Sequence, residues 1–243
     1  MIFRTTSLSL VATILVAAPA ITCFSQAAKE PVYNARFRVI SWDSPITGLQ
    51  YNSAKDQVTS IDITPFSRSM FYDYAGPDPL SFGHQKAAPD GKMTIDNLAS
   101  VSLKKFKERT LLIFRPDQKN AGHFTISVID DGDSSLPMGG YKFINLSKLP
   151  ISVKCGNTKG YVVAGQSLTL VGSITDGSDL MPVEMFIEDH GQNRRIYSNR
   201  WGYGKSTRTI VFINYDEFSD SYLVKRIQED IAAIPTPTPS PIR

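Results

Sequence analysis

Apolar and polar residues alternate with a period of two along most of the chain. The alternating runs are short and separated by clusters of Gly, Pro, Asp, Asn and Ser, and a helical period is nearly absent, which predicts β-strands. Tyr33–Ile40 sets the pattern, with Ala35, Phe37 and Val39 on one face. The same reading predicts strands at Thr47–Tyr51, Val58–Ile63, Ser69–Tyr74, Leu80–Gly83, Ser100–Phe106 and Thr110–Phe114. Later strands are predicted at His123–Ile129, Tyr141–Leu146, Ile151–Cys155, Gly160–Val163, Ser167–Val171, Val183–Glu188, Arg194–Ser198, Thr207–Asn214 and Tyr222–Gln228. The last of these also fits a helix, because Leu223, Ile227 and Ile231 recur every fourth residue.

Many short strands at this spacing predict an all-β protein of antiparallel β-sandwiches rather than a βαβ sheet. One immunoglobulin-like sandwich takes about 100 residues, so the chain has room for two in tandem. The polar stretch Pro116–Gly122 marks the expected boundary, giving one sandwich over 28–118 and a second over 119–230. An internal echo points the same way. Arg36–Ile40 followed by Pro45-Ile46-Thr47 resembles Tyr141–Leu146 followed by Pro150-Ile151-Ser152, each an alternating strand, a proline corner and a second strand. Residues Pro77–Asn97, with three prolines and two glycines, read as a long irregular excursion, and long loops on rigid sandwiches are where binding often sits. The Pro235–Pro241 repeat makes 231–243 an extended tail without a core.

The N-terminus reads as a secretory signal over 1–27: Arg4, an apolar run from Leu8 to Ile21, then Ser25 and Ala27 before the cleavage point. A cut after Ala20 is the other option, since Ala18-Pro19-Ala20 has the same small-x-small form. The run is shorter than the roughly 20 apolar residues that span a bilayer, and Pro19 interrupts it, so no membrane span is expected after cleavage. Cys23 raises a lipid anchor as a third option, but Ile21-Thr22 fits a lipoprotein signal poorly and none is expected. The reading is a secreted or periplasmic protein. Cleavage after Ala27 leaves Cys155 as the sole cysteine, read as a small apolar strand residue.

Composition narrows the chemistry. Lys and Arg number 26 against 23 Asp and Glu, too thin a margin for a nucleic-acid partner. Three histidines leave little for a metal centre, and no motif calls for a cofactor. Gly-x-Ser-x-Gly, His-Glu-x-x-His and Cys-x-x-Cys are absent, and Gly202-Tyr203-Gly204-Lys205-Ser206 lacks the spacing of a phosphate-binding loop. Asp130-Asp131-Gly132-Asp133 could offer oxygen ligands to Ca²⁺, but its spacing misses the calcium-loop rule and a solvated turn explains it better. Asp176-Gly177-Ser178-Asp179 reads the same way. His84 and His123 sit at strand ends with no evident partner in sequence.

For acid–base work the candidates are Glu184, Glu188 and Asp189 beside His190. Paired carboxylates on one strand face, Glu184 and Glu188, could serve a glycosidase, but the solvent face opposite Val183, Met185 and Phe186/Ile187 explains them better. The densest group of interface-type residues is Arg194, Arg195, Tyr197, Arg200, Trp201 and Tyr203, since Arg and aromatics anchor interfaces and flat rings stack on sugars. The competing reading puts Ile196 and Trp201 in the core and the arginines on a wet strand. Phe66, Phe71, Tyr72 and Tyr74 form a second aromatic group, read as core.

Three stretches carry a resemblance: Arg36–Ile40 with Pro45–Tyr51, Phe66–Phe71 with Tyr74–Pro77, and Tyr141–Ser147. With them the chain resembles secreted bacterial proteins of unknown function built from tandem immunoglobulin-like sandwiches of the DUF4397 type. That resemblance implies fold and export and carries no active residues across. The expected function is a non-enzymatic binding or structural module of the cell envelope, with an envelope protein or glycan as partner. The alternative is a secreted carbohydrate-active hydrolase using Glu184 and Glu188.

Overall fold

The computed structural model describes residues 31–230, apart from residues 56, 89–92, 106–108, 175–177 and 190. The expected signal segment with Cys23, the proline-rich tail, His190 and the Asp176-Gly177 turn lie outside the described residues.

The described chain is all strand, with no helix. The first half holds β1 (Tyr33–Ser41), β2 (Ile46–Ala54), β3 (Gln57–Ile63), β4 (Tyr72–Gly76), β5 (Leu80–Ala87), β6 (Met93–Val101), β7 (Arg109–Pro116) and β8 (Phe124–Asp130). The second holds β9 (Gly140–Asn145), β10 (Ile151–Cys155), β11 (Thr158–Val162), β12 (Ser167–Val171), β13 (Leu180–Asp189), β14 (Gln192–Gly202), β15 (Thr207–Asp216) and β16 (Ser221–Asp230). The strands form four sheets of four, in the orders β4-β1-β7-β8, β3-β2-β5-β6, β12-β9-β15-β16 and β11-β10-β13-β14.

Counted from the start of each half, the two halves have the same wiring. Fourth, first, seventh and eighth strands make one sheet; third, second, fifth and sixth make the other. The echo seen in sequence therefore joins equivalent strands, β1 with β9 and β2 with β10, each pair separated by its proline corner. The sheets are not purely antiparallel, as the alternation had suggested. In each half the first and seventh strands run parallel, β1 beside β7 and β9 beside β15. A parallel neighbour leaves no local turn signal, because its connection passes through the rest of the sandwich.

Two expectations about connections change. Pro116–Gly122 is not a linker: β8 pairs with β7 from Thr110↔Asp130 to Pro116↔Phe124, so this stretch is the turn of that hairpin, and residues 131–139 connect the halves. Much of the Pro77–Asn97 excursion is the β5–β6 hairpin, whose outer ends are exposed on both faces and so show no alternation. Gly83 sits at its register shift, where a Cβ would lie 1.6 Å from the Asp96 carbonyl oxygen. The final segment is a strand, β16, paired along its length with β15.

Each pair of sheets closes on its own apolar core. In the first half Phe37, Val39, Leu112 and Phe114 of one sheet meet Leu49, Tyr51, Ile61 and Phe82 of the other. In the second, Phe143, Val211 and Ile213 meet Val153, Met181, Val183 and Trp201. A third cluster lies between the halves: Ile40, Leu111, Ile113, Leu136, Ile210, Phe212 and Ile227. All but Leu136, which belongs to the 131–139 connection, come from the reverse faces of the β1-β7 and β9-β15 sheets, which are therefore buried on both sides. That is why Leu111–Phe114 and Ile210–Ile213 are continuous apolar runs instead of alternating ones. Trp42 meets Phe212 edge-on at 5.0 Å between centroids, closing one end of this shared layer.

Candidate functional site

The Arg-aromatic group, in β14 and just beyond it, divides between core and surface, and the register shift at Met185/Phe186 puts Arg195 outside although it shares parity with Tyr197 and Trp201. Trp201 is only 1% exposed and lies in the second core, near Tyr141 and Phe143 and beneath the Arg226 guanidinium at 4.6 Å. Its indole Nε1 donates to Tyr197 Oη at 3.0 Å, and Tyr203 Oη donates to the Gly172 carbonyl at 3.1 Å. The aromatic members are thus packed inward. Arg194, Arg195 and Arg200 stay at the surface; Arg194 pairs with Asp189 at 3.1 Å and Arg195 with Glu184 at 3.5 Å.

Alternation also governs the carboxylates of β13. Met181, Val183, Met185 and Ile187 point into the core, while Glu184 and Glu188 point out with Phe186 between them. Glu184 lies between two cations, Lys154 at 3.3 Å and Arg195. Cys155 is fully buried in van der Waals reach of Met181, and burial pushes its thiol up to about 12. His84 Nδ1 meets the Gly48 carbonyl at 3.0 Å at an exposed position.

The acidic turn at 130–133 has a role that spacing alone does not reveal. Asp131 is completely buried and faces guanidiniums: Arg68 Nη2 at 3.0 Å and Arg208 Nη2 at 3.9 Å. Arg208, itself buried, also donates to the Asp131 carbonyl at 3.0 Å, to Asp133 at 3.2 Å and to Glu229 at 2.7 Å. Glu229 completes the group by accepting from Arg38. Arg38, Arg68 and Arg208 thus share Asp131 and Glu229 in the layer between the sandwiches. Burial alone would raise the Glu229 pKa, but the hydrogen bond from Arg208 and the charges of Arg68 and Arg38 hold it below the ordinary value. Among the described residues no group of three or more His, Cys, Asp or Glu is placed to hold a metal.

Beside this ion cluster the first sandwich opens into a cleft of about 960 Å³. Its walls come from the start of β1, the β2–β3 hairpin and β4, with Arg109 and Asp133 at one end. Phe71, expected in the core, is half-buried here under three guanidiniums, with Arg38 at 4.0 Å, Arg36 at 4.7 Å and Arg109 at 5.8 Å from its centroid. Tyr51 forms part of the floor, its hydroxyl donating to the Asp73 carbonyl at 2.9 Å. Of the other aromatics in that group, Tyr74 is buried in the first core, Tyr72 packs on Phe37, and Phe66 joins Trp42 between the halves. The cleft is not legible in sequence because its residues come from five separated segments. One signal was present: arginine at alternate positions 36 and 38, on a strand whose other face is core.

Fold and site together define an all-β protein of two equivalent four-plus-four-stranded halves, joined by a buried ion cluster with an aromatic, arginine-rich cleft beside it. The sequence matches no protein-family model and no curated protein.

Proposed function

We propose that this is an exported, non-enzymatic protein, two immunoglobulin-like sandwiches kin to the secreted tandem-sandwich proteins, acting as a binding or structural module of the cell envelope. The observation that carries the reading is how the charged groups are used. Asp131 and Glu229, the buried carboxylates, are occupied by Arg38, Arg68 and Arg208 and weld the halves together. Glu184, the best-placed carboxylate for hydrolysis, is occupied by Lys154 and Arg195. Ion pairs used this way favour a stiff scaffold over acid–base chemistry, which needs carboxylates in contrasting environments. The continuous apolar layer between the halves gives the same scaffold little freedom to hinge.

The test is crosslinking in living cells, followed by envelope fractionation and mass spectrometry. A recurrent attached protein or retention on wall polymer is the expected result. Free protein in the medium that hydrolyses a polysaccharide or ester, with turnover lost in Glu184→Gln, would overturn the reading.

A further inference from the structure

We infer that the cleft of the first sandwich binds an acidic saccharide, its anionic group on Arg36 and Arg109 and its ring against the aromatic wall. The inference rests on the binding-module reading above. Three guanidiniums around the Phe71 ring concentrate positive charge at one place. Arg38 is spoken for by buried Glu229. Arg36 and Arg109 line the cleft, and their acidic companions are surface groups: Asp73 is 80% and Asp133 74% exposed. The Arg36–Asp73 pair is exposed on both sides, and such pairs contribute about 0–1 kcal/mol, so an incoming anion displaces Asp73 at little cost, while Asp133 keeps its bond to buried Arg208 when Arg109 engages the ligand. The guanidinium fork then offers a carboxylate or sulfate two parallel hydrogen bonds.

The rest of the lining suits a sugar. Tyr72 and Phe71 supply flat apolar surface, and Asn34, Gln57 and Thr59 supply amides and a hydroxyl beside it. The volume lies within the range of small-ligand sites. An extended acidic peptide fits less well. Such a peptide would add to the free edge of β4, but β4 is only five residues long and its Asp73 carbonyl is already taken by Tyr51.

The experiment is calorimetric titration of the full chain with trigalacturonate, its methyl ester, a sulfated dextran oligomer and oligoglutamate, at two salt concentrations. Trigalacturonate or the sulfated oligomer should bind, weakening with salt, and the uncharged ester should bind at least tenfold more weakly. Which of the two binds tighter distinguishes carboxylate from sulfate. Arg36→Gln and Arg109→Gln should each weaken binding about tenfold with unchanged melting, while Lys148→Gln, at an exposed cation of the second half, should leave it intact. Equal binding of oligoglutamate, no binding of any acidic saccharide, or binding insensitive to both Arg36→Gln and Arg109→Gln would overturn the inference. In parallel, envelope retention of the Arg36→Gln/Arg109→Gln double variant is compared with wild type. Loss of wild-type retention is failure of the module reading, whereas retention without saccharide binding is failure of this site alone.

Discussion

Arg38 and Lys142 occupy the same position in the two copies of one sandwich, and each sends its cationic head into the other half. In the parallel registers Phe37 lies opposite Thr110 and Tyr141 opposite Thr209, which aligns Arg38 with Lys142 and Arg109 with Arg208. Arg38 bonds Glu229 of the second half. Lys142 Nζ donates to the Asp130 carbonyl of the first at 2.7 Å, with the Asp131 charge nearby. Asp131 and Glu229 are likewise equivalent, each next to the Arg of its seventh strand. The halves therefore meet through like surfaces in a two-fold manner, as the subunits of a symmetric dimer do.

Removing one partner of this cluster should cost far more than removing a matched pair. Glu229→Ala leaves Arg38 buried without its carboxylate and takes from Arg208 its closest partner, and breaking a buried pair costs about 3–5 kcal/mol. Replacing Arg38 and Glu229 together by Met and Leu should cost less than Glu229→Ala alone. Chemical denaturation of Arg38→Met, Glu229→Leu and the double variant measures the coupling; additive losses would show that the pair does not act as a unit.

The pH dependence has a defined sign. The folded Glu229 pKa is held below its unfolded value, so its contribution to stability is complete above about 4.5, the ordinary glutamate value, and is lost as pH falls through the depressed folded value. Stability measured from pH 7 down to pH 3 should fall in that acid limb. Glu229→Gln should be less stable at neutral pH with a shallower acid limb. An unchanged limb in the variant would assign the acid sensitivity to other carboxylates.

The behaviour of β14 separates core from surface within one strand. Trp201→Ala should destabilise by about 3–5 kcal/mol, as loss of a buried large aromatic does. Arg194→Ala and Arg200→Ala should each change stability by less than about 1 kcal/mol. Melting curves check both, and only the arginine variants can report on partner contact without unfolding the second sandwich.

How much of this was legible in the sequence follows from where each signal lives. Every predicted strand overlaps an observed one, because period-two alternation is local and the solvent-facing sheets keep it, as in Met181, Val183, Met185 and Ile187. The β5–β6 hairpin was missed in part because its ends are exposed on both faces. The boundary was misplaced because a hairpin turn and a linker use the same polar residues. Arg-Thr followed by four apolar residues occurs at Arg109–Phe114 and again at Arg208–Ile213, and it marks the doubly buried seventh strand of each half. The ion cluster was not legible, since Arg38, Arg68, Asp131, Arg208 and Glu229 are brought together only by the stacking of the halves.

That stacking also predicts what each half does alone. Separated after residue 138, the second half would expose Ile210, Phe212 and Ile227 together with the Arg208–Glu229 pair, stripped of Arg38, Arg68 and Asp131. An apolar sheet face of this kind is an association site. The isolated second half should therefore form dimers or larger species in sedimentation, through the face that the first half normally covers. Phe212→Asp should suppress that association in the fragment and destabilise the full chain. A monodisperse, monomeric fragment at high concentration would show that the apolar layer is not what holds the halves together.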